Sequence, residues 1–141
     1  MILSPTTGTG TVHGVFRSDE FPVHNDADVR AKGEWTDTVV KHGTLVANEG
    51  AVSRVYDLAP GTIVPFHRTH SLDIGVVLKG SLTLELENHE TVILKEGDTI
   101  VQRGTWHEWR NQSDGWTRIM FVLLAAHPIE VNGNVLPTTA A

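Results

Sequence analysis

Cysteine is absent from the 141 residues of this chain, which rules out a disulfide framework and any thiolate-held metal. A metal bound here takes nitrogen or oxygen ligands alone. Long apolar runs are absent too. The longest, IMFVLLAA at 119–126, falls far short of the roughly 20 residues that cross a bilayer as a helix. A basic face is also missing: 11 Lys and Arg stand against 17 Asp and Glu, for a net charge of -6, and the basic residues are scattered. That balance argues against nucleic acid or an anionic membrane as partner. The opening MILSPTTGTG has neither the basic start nor the apolar core of a secretory signal. The expectation is a soluble, cytoplasmic protein whose partner is a small molecule. Its length suits one domain with one core and one pocket.

Helical periodicity is nearly as scarce. Only DADVRAKGEW, residues 26–35, suits a short helix, and Gly33 interrupts it. What is present is a series of short strand patterns between turn signals, the mark of a sandwich or barrel. The text GVFRS, then DTVVKHGTLVAN, then SRVYDLAPG read as early strands. In SLTLELENHETVILKEGDTIVQRG, Leu82, Leu84 and Leu86 alternate with Thr83, Glu85 and Glu87, a period of two that a helix does not keep. Turns follow at ENHE and KEGD, and WTRIMFVLLA supplies a last buried strand. Residues 1–10 read as a flexible N-terminus, 11–130 as the barrel domain and 131–141 as a C-terminal tail. No internal repeat of the strand-turn-histidine block is present, so one barrel is expected.

The chemistry-bearing residues concentrate in HRTHSLD and in RGTWHEWRN. If residues 66–79 form one extended strand, His67, Thr69 and Asp73 share a face while Arg68, His70 and Leu72 share the other. His70 then lies outside unless a bulge intervenes. His107, in the second block, is flanked by the turn-like Gly104 and Asn111. The remaining histidines, 13, 24, 42, 89 and 127, read as ordinary polar positions.

These blocks resemble the two motifs of the cupin superfamily. Gly61, His67, Asp73 and Gly80 match the first at its spacing; Gly97, Asp98, Gly104, His107 and Asn111 match the second. The resemblance covers about Ala51 to Ala125, and is narrower still toward small single-domain cupins of secondary metabolism. It implies an all-β, single jelly-roll barrel (a double-stranded β-helix) with little helix. It also implies pairing into a homodimer, with GVFRS and Pro22 covering an exposed edge. The chain departs from the family pattern in three places. Thr69 stands where a second histidine is usual, Asp73 where a glutamate is usual, and VQRG replaces a proline-containing turn one residue longer. The usual three-His, one-Glu site is thereby reduced to His67, Asp73 and His107.

That remnant is a candidate 2-His-1-carboxylate set for one divalent metal, Fe, Zn, Mn or Ni, with His70 as a further candidate ligand, or else a metal-free catalytic trio. Thr69, Gln102, Arg103, Trp106 and Trp109 are the expected pocket residues. What the resemblance implies about activity is an enzyme acting on a polyketide-like or aromatic carbonyl compound by dehydration, decarboxylation, isomerisation or cyclisation. His67 or His107 is then the base, and Asp73 the group that orients a histidine or ligates the metal. The alternatives are a non-haem iron oxygenase and a cupin that binds a small ligand without turning it over.

Overall fold

A computed structural model describes residues 8–23 and 49–140, the side chains of 139 and 140 excepted. The expected helix at 26–35 and the expected strand at 37–48 lie outside those residues. The strands in chain order are β1 (Gly10–Ser18), β2 (Ala51–Leu58), β3 (Ile63–Arg68), β4 (Ser71–Lys79), β5 (Ser81–Leu86), β6 (Thr91–Lys95), β7 (Thr99–Gln102), β8 (His107–Arg110), β9 (Thr117–Ala125), β10 (Glu130–Val131), β11 (Asn134–Val135) and β12 (Thr139–Ala140). No helix occurs among the described residues, and so none there is long and apolar enough to cross a membrane.

Ten of these strands form two five-stranded sheets, ordered β1-β2-β9-β4-β7 and β12-β3-β8-β5-β6, with β10 and β11 as a separate hairpin. Every pairing is antiparallel. The expected jelly-roll is the observed architecture. β1, which contains GVFRS, occupies the edge of β2 within the same chain. The segment after β9 contributes the β10–β11 hairpin and the two-residue β12 against β3.

Period-two patterning explains which face each strand buries. In β9, Thr117, Ile119, Phe121 and Leu123 are buried while Arg118 is exposed; in β4, Ser71, Asp73, Gly75 and Val77 are buried while Ile74 and Leu78 are exposed. The inward residues of both sheets meet in one core: Leu58, Val77, Ile119, Phe121 and Leu123 face Val64, Leu82, Leu84, Leu94 and Trp109. The Trp109 and Phe121 rings, 5.3 Å between centroids, bridge the two sheets. Burial of each large apolar side chain here contributes about 1.5–3 kcal/mol, so the interface between sheets is what holds the barrel shut.

The turns follow from glycine where a side chain does not fit. Gly80, between β4 and β5, has φ 78°, and a Cβ there would lie 2.9 Å from the Trp116 carbonyl oxygen. Gly97, φ 87°, closes the KEGD turn, which Asp98 caps by accepting from the Lys95 amide at 2.7 Å. Asn111 belongs to the same class of framework residues. Fully buried, its Nδ2 donates to the carbonyls of Leu58 at 2.9 Å and Gly115 at 2.8 Å, and its Oδ1 accepts from Ser113. It ties the end of β2 to the turn before β9, and all of its capacity is used in doing so.

Gly75 has a different task. It sits directly opposite Phe121 on β9, and a Cβ would meet the Phe121 ring at 2.5 Å. The missing side chain is the seat of that ring. Replacing glycine in a strand usually stabilises by up to about 1 kcal/mol, whereas overpacking costs about 1–3 kcal/mol, so the clash decides. Gly75→Ala is expected to lower stability by about 1–2 kcal/mol in urea unfolding, and adding Phe121→Leu is expected to recover part of that loss. A neutral or stabilising Gly75→Ala would show that the ring is not seated there.

Candidate active site

His67 and His107 owe their proximity to strand register. β3 and β8 run antiparallel, and the two histidines are direct cross-strand partners, His67 against His107. Between Val64, opposite Trp109, and His67, opposite His107, β3 spends three residues where β8 spends two. This is a bulge, and it keeps both Val64 and His67 inside. Sequence parity admits a bulge at His70; the structure places it three to six residues earlier. The ring centroids of the two histidines are 4.2 Å apart.

Each imidazole is anchored in the same way. His67 Nδ1 lies 2.8 Å from the Pro65 carbonyl oxygen, and His107 Nδ1 lies 2.9 Å from that of Thr105. A carbonyl only accepts, so both Nδ1 atoms carry the proton and both Nε2 atoms keep a free lone pair. The site therefore contains two neighbouring imidazoles that accept at Nε2.

Asp73 comes from the other sheet. The chain leaves β3 at Arg68, turns through Thr69 and His70, and enters β4 in the opposing sheet, so His67 and Asp73 do not share one continuous strand as the sequence suggests. They nonetheless line one cavity, together with Tyr56, Thr69, His107, Trp109 and Phe121. The space between them is about 40 Å³, room for a few water molecules or the reacting end of a ligand but not for a whole one. Asp73 Oδ1 is buried without a hydrogen-bond partner. Ser71 Oγ and Thr69 Oγ1 hydrogen bond at 2.8 Å beside it. Thr69 thus fills the place of the missing histidine as a buried hydroxyl.

Burial sets the proton affinities. Desolvation disfavours charge, raising a carboxyl and lowering an imidazole. It pushes Asp73 up to about 6, against a smaller lowering by Ser71. It pulls His107 down to about 3, helped by the neighbouring His67 and Arg68 and opposed by the Thr105 carbonyl. His67 is lowered by burial as well, against the Pro65 carbonyl. The usual order is inverted: the carboxylate is now a stronger base than the His107 imidazole. No hydrogen bond joins Asp73 to either ring, so the expected role of Asp73 in orienting a histidine passes to the two backbone carbonyls.

Among the described residues no three His, Cys, Asp or Glu side chains are grouped to hold an ion. The two anchored imidazoles have the orientation of metal ligands, and Asp73 reaches the same cavity from the facing sheet. His70 has left the site, with Nε2 2.7 Å from the Leu136 carbonyl oxygen. Trp109 is a wall of the cavity, whereas Trp106 stacks on Phe66 (6.2 Å, 17°) beneath the Arg68 guanidinium, away from the cavity. Gln102 pairs with Asp73 in register but turns its amide to the Arg103 carbonyl and Thr105 Oγ1. Arg103 is exposed.

One site residue escaped the sequence reading. Tyr56 lines the cavity from β2, its ring edge-on to Phe121 at 6.0 Å. Its hydroxyl is held above the ordinary tyrosine range, chiefly by burial, while a hydrogen bond from Arg54 works the other way. Arginine only donates, so the phenol oxygen accepts from Arg54 and its own O–H remains to donate. The signal was the period of two that places Val52, Arg54, Tyr56 and Leu58 on one face.

The Cupin_2 family profile, described as a cupin domain, matches residues 54–123, the span that carries Tyr56, both histidines and Asp73. The chain carries a cupin domain. Similarity extends to phomopsin biosynthesis cluster protein C' of Diaporthe leptostromiformis, 51% identical over 62% of this chain and 47% of that protein. The cupin-domain-containing oxidoreductase virC of Hypocrea virens is 36% identical over 84% of this chain and 60% of that protein. Among solved structures, the polyketide cyclase RemF of Streptomyces resistomycificus superposes with a TM-score of 0.51 at 20% identity, covering 64% of this chain and 60% of that one, a likeness of fold. The chain spans between about half and three fifths of the length of these two curated relatives.

Linkage gives this cupin site a testable signature. A carboxyl whose folded value lies above its unfolded value of 3.8 binds its proton more tightly when folded. It therefore destabilises the fold above the unfolded value, and the penalty grows as pH rises from about 4 to about 6. Asp73→Asn is expected to raise stability at pH 8 by on the order of 2–3 kcal/mol, a gain that disappears below pH 4. Urea midpoints at both pH values check this; a variant less stable than wild type at pH 8 contradicts it.

Proposed function

We propose that this cupin is a proton-transfer enzyme of natural-product metabolism, acting at the carbon beside a carbonyl group of a small polyketide-like or aromatic compound. The observation that carries the reading is the inverted basicity inside the cavity: a buried carboxylate poised near 6 facing two imidazoles that burial keeps neutral. The setting is supported by the relatives, one named for a biosynthesis cluster; the reaction rests on this chain's own residues.

In this reading Asp73, rather than a histidine, removes the proton. Its affinity lies near working pH, where a general base is most effective. The C–H pair moves into a C=C bond and the carbonyl pair onto oxygen, forming an enolate to which Tyr56 donates its O–H. The free Nε2 atoms of His67 and His107 accept hydrogen bonds from a substrate hydroxyl and fix its orientation. Return of the proton from Asp73 to a different carbon is an isomerisation. If a hydroxyl stands on the next carbon, re-formation of the carbonyl expels it, and the Asp73 proton leaves with it as water. Thr69 and the apolar walls keep bulk water from the enolate.

A second reading, a metal-dependent oxygenase, draws support from the relative named an oxidoreductase and from the anchored imidazole pair. It requires a third protein donor beside that pair. Elemental analysis of protein purified without a His tag or chelator separates the two. Substoichiometric metal is expected, and one iron per chain would favour the oxygenase.

The proton-transfer reading is tested with acetylacetone and 4-hydroxybutan-2-one in D2O, following deuterium uptake by NMR. The rate is expected to rise with pH through about 6 as Asp73 ionises. Asp73→Asn is expected to lower it by about 100-fold or more, with the fold intact. Exchange at the wild-type rate in that variant would sink the reading.

A further inference from the structure

A second hollow adjoins the cavity. Thr69 is a wall of both, and on its outer side opens a cleft of about 400 Å³ at the end of the barrel, within the range that accommodates small-molecule ligands. Its sides come from three places brought together by the fold: the β3–β4 turn with Arg68 and His70, the β7–β8 turn with Arg103, and the segment after β9 with His127. In a chain of net charge -6, the described residues that line this cleft include two arginines and two imidazoles and no carboxylate.

The cleft is built rather than incidental. Arg68 is fixed by Nε donating to the Gly104 carbonyl at 3.0 Å and by its seat over Trp106, 5.8 Å from the ring centre. Among the described residues the acidic group paired with it is Glu87, at 4.0 Å and exposed, a weak pair in water. Gly104 allows the walls to close, since a Cβ there would lie 3.2 Å from both the Thr69 carbonyl oxygen and Ile129. Arg103 is exposed and has no ion-pair partner among the described residues. Its planar fork is suited to two parallel hydrogen bonds to a carboxylate or phosphate.

We propose that this cleft binds an oxyanion head, carboxylate or phosphate, of an elongated ligand whose other end enters the histidine cavity past Thr69. The small volume of that cavity then ceases to limit substrate size, because only the reacting end occupies it. The identification of the ligand with the substrate rests on the proton-transfer reading; the binding of the anion does not.

The test is a titration of isotopically labelled protein with hexanoate, hexyl phosphate and the neutral hexanamide, read from amide shifts. Hexanoate or hexyl phosphate is expected to give saturable shifts at residues 68–72, 103–105 and 126–129, and hexanamide none. The tighter of the two anions identifies the head group. Arg103→Ala is expected to weaken anion binding about fivefold or more while Lys79→Ala leaves it unchanged, and Asp73→Asn is expected to retain it. Anion binding in a protein that fails to exchange deuterium would sink the reaction and leave the cleft standing. Absence of saturable shifts, equal shifts with hexanamide, or unchanged affinity in Arg103→Ala would overturn the cleft.

Discussion

Charge is costly between two apolar sheets, and the site of this protein is organised by that cost. The sheets close on a core centred on Phe121 and Trp109, and whatever polar groups they enclose must be neutral, paired or used. Two imidazoles meet the condition by staying neutral, each giving its one proton to a backbone carbonyl. Asp73 meets it by holding its proton up to an unusually high pH. The same desolvation that stabilises the neutral forms thus produces a base of useful strength from a carboxylate and removes the basicity of His107.

Packing and chemistry are therefore one problem. Without Gly75 the Phe121 ring has no seat, and without the ring the wall opposite Trp109 and His107 opens. Water entering there would restore ordinary proton affinities, and the inversion would be lost. Asn111 and the glycine turns matter to the site in the same indirect way, by fixing the register that makes His67 and His107 cross-strand neighbours. Stability is given up at Asp73 for this, an arrangement common where function places a charge in a dry interior.

The fold was readable because period-two patterning and turn glycines are local properties. Leu82 and Leu84, the KEGD turn and the inward run of β9 each announce themselves within a few residues. The identity of the cavity residues His67, Thr69, Asp73 and His107 was readable from motif spacing, and that of Trp109 from its place beside His107. Their arrangement was not. The bulge at Pro65 and Phe66 depends on which strand lies opposite, and the passage from one sheet to the other at Thr69 and His70 is a property of topology. Treating residues 66–79 as one strand therefore placed Asp73 beside His67 rather than across from it. Gln102, Arg103 and Trp106 were drawn to the cavity by adjacency to His107, whereas Gln102, though buried, spends its amide on the β7–β8 turn, Arg103 is exposed and Trp106 stacks on Phe66. Tyr56 was missed because a lone tyrosine in a strand carries no motif.

The proton affinity of one side chain decides which group in this cavity is the base. Carbon-13 NMR of the Asp73 carboxyl, followed with pH alongside the ring nitrogens of His67 and His107, measures it directly. The predicted result is a carboxyl titrating near 6, with His107 unprotonated at Nε2 down to pH values well below that midpoint. An Asp73 that titrates at or below 4 beside histidines that titrate near 6.5 would contradict it, and would return the role of base to the imidazoles.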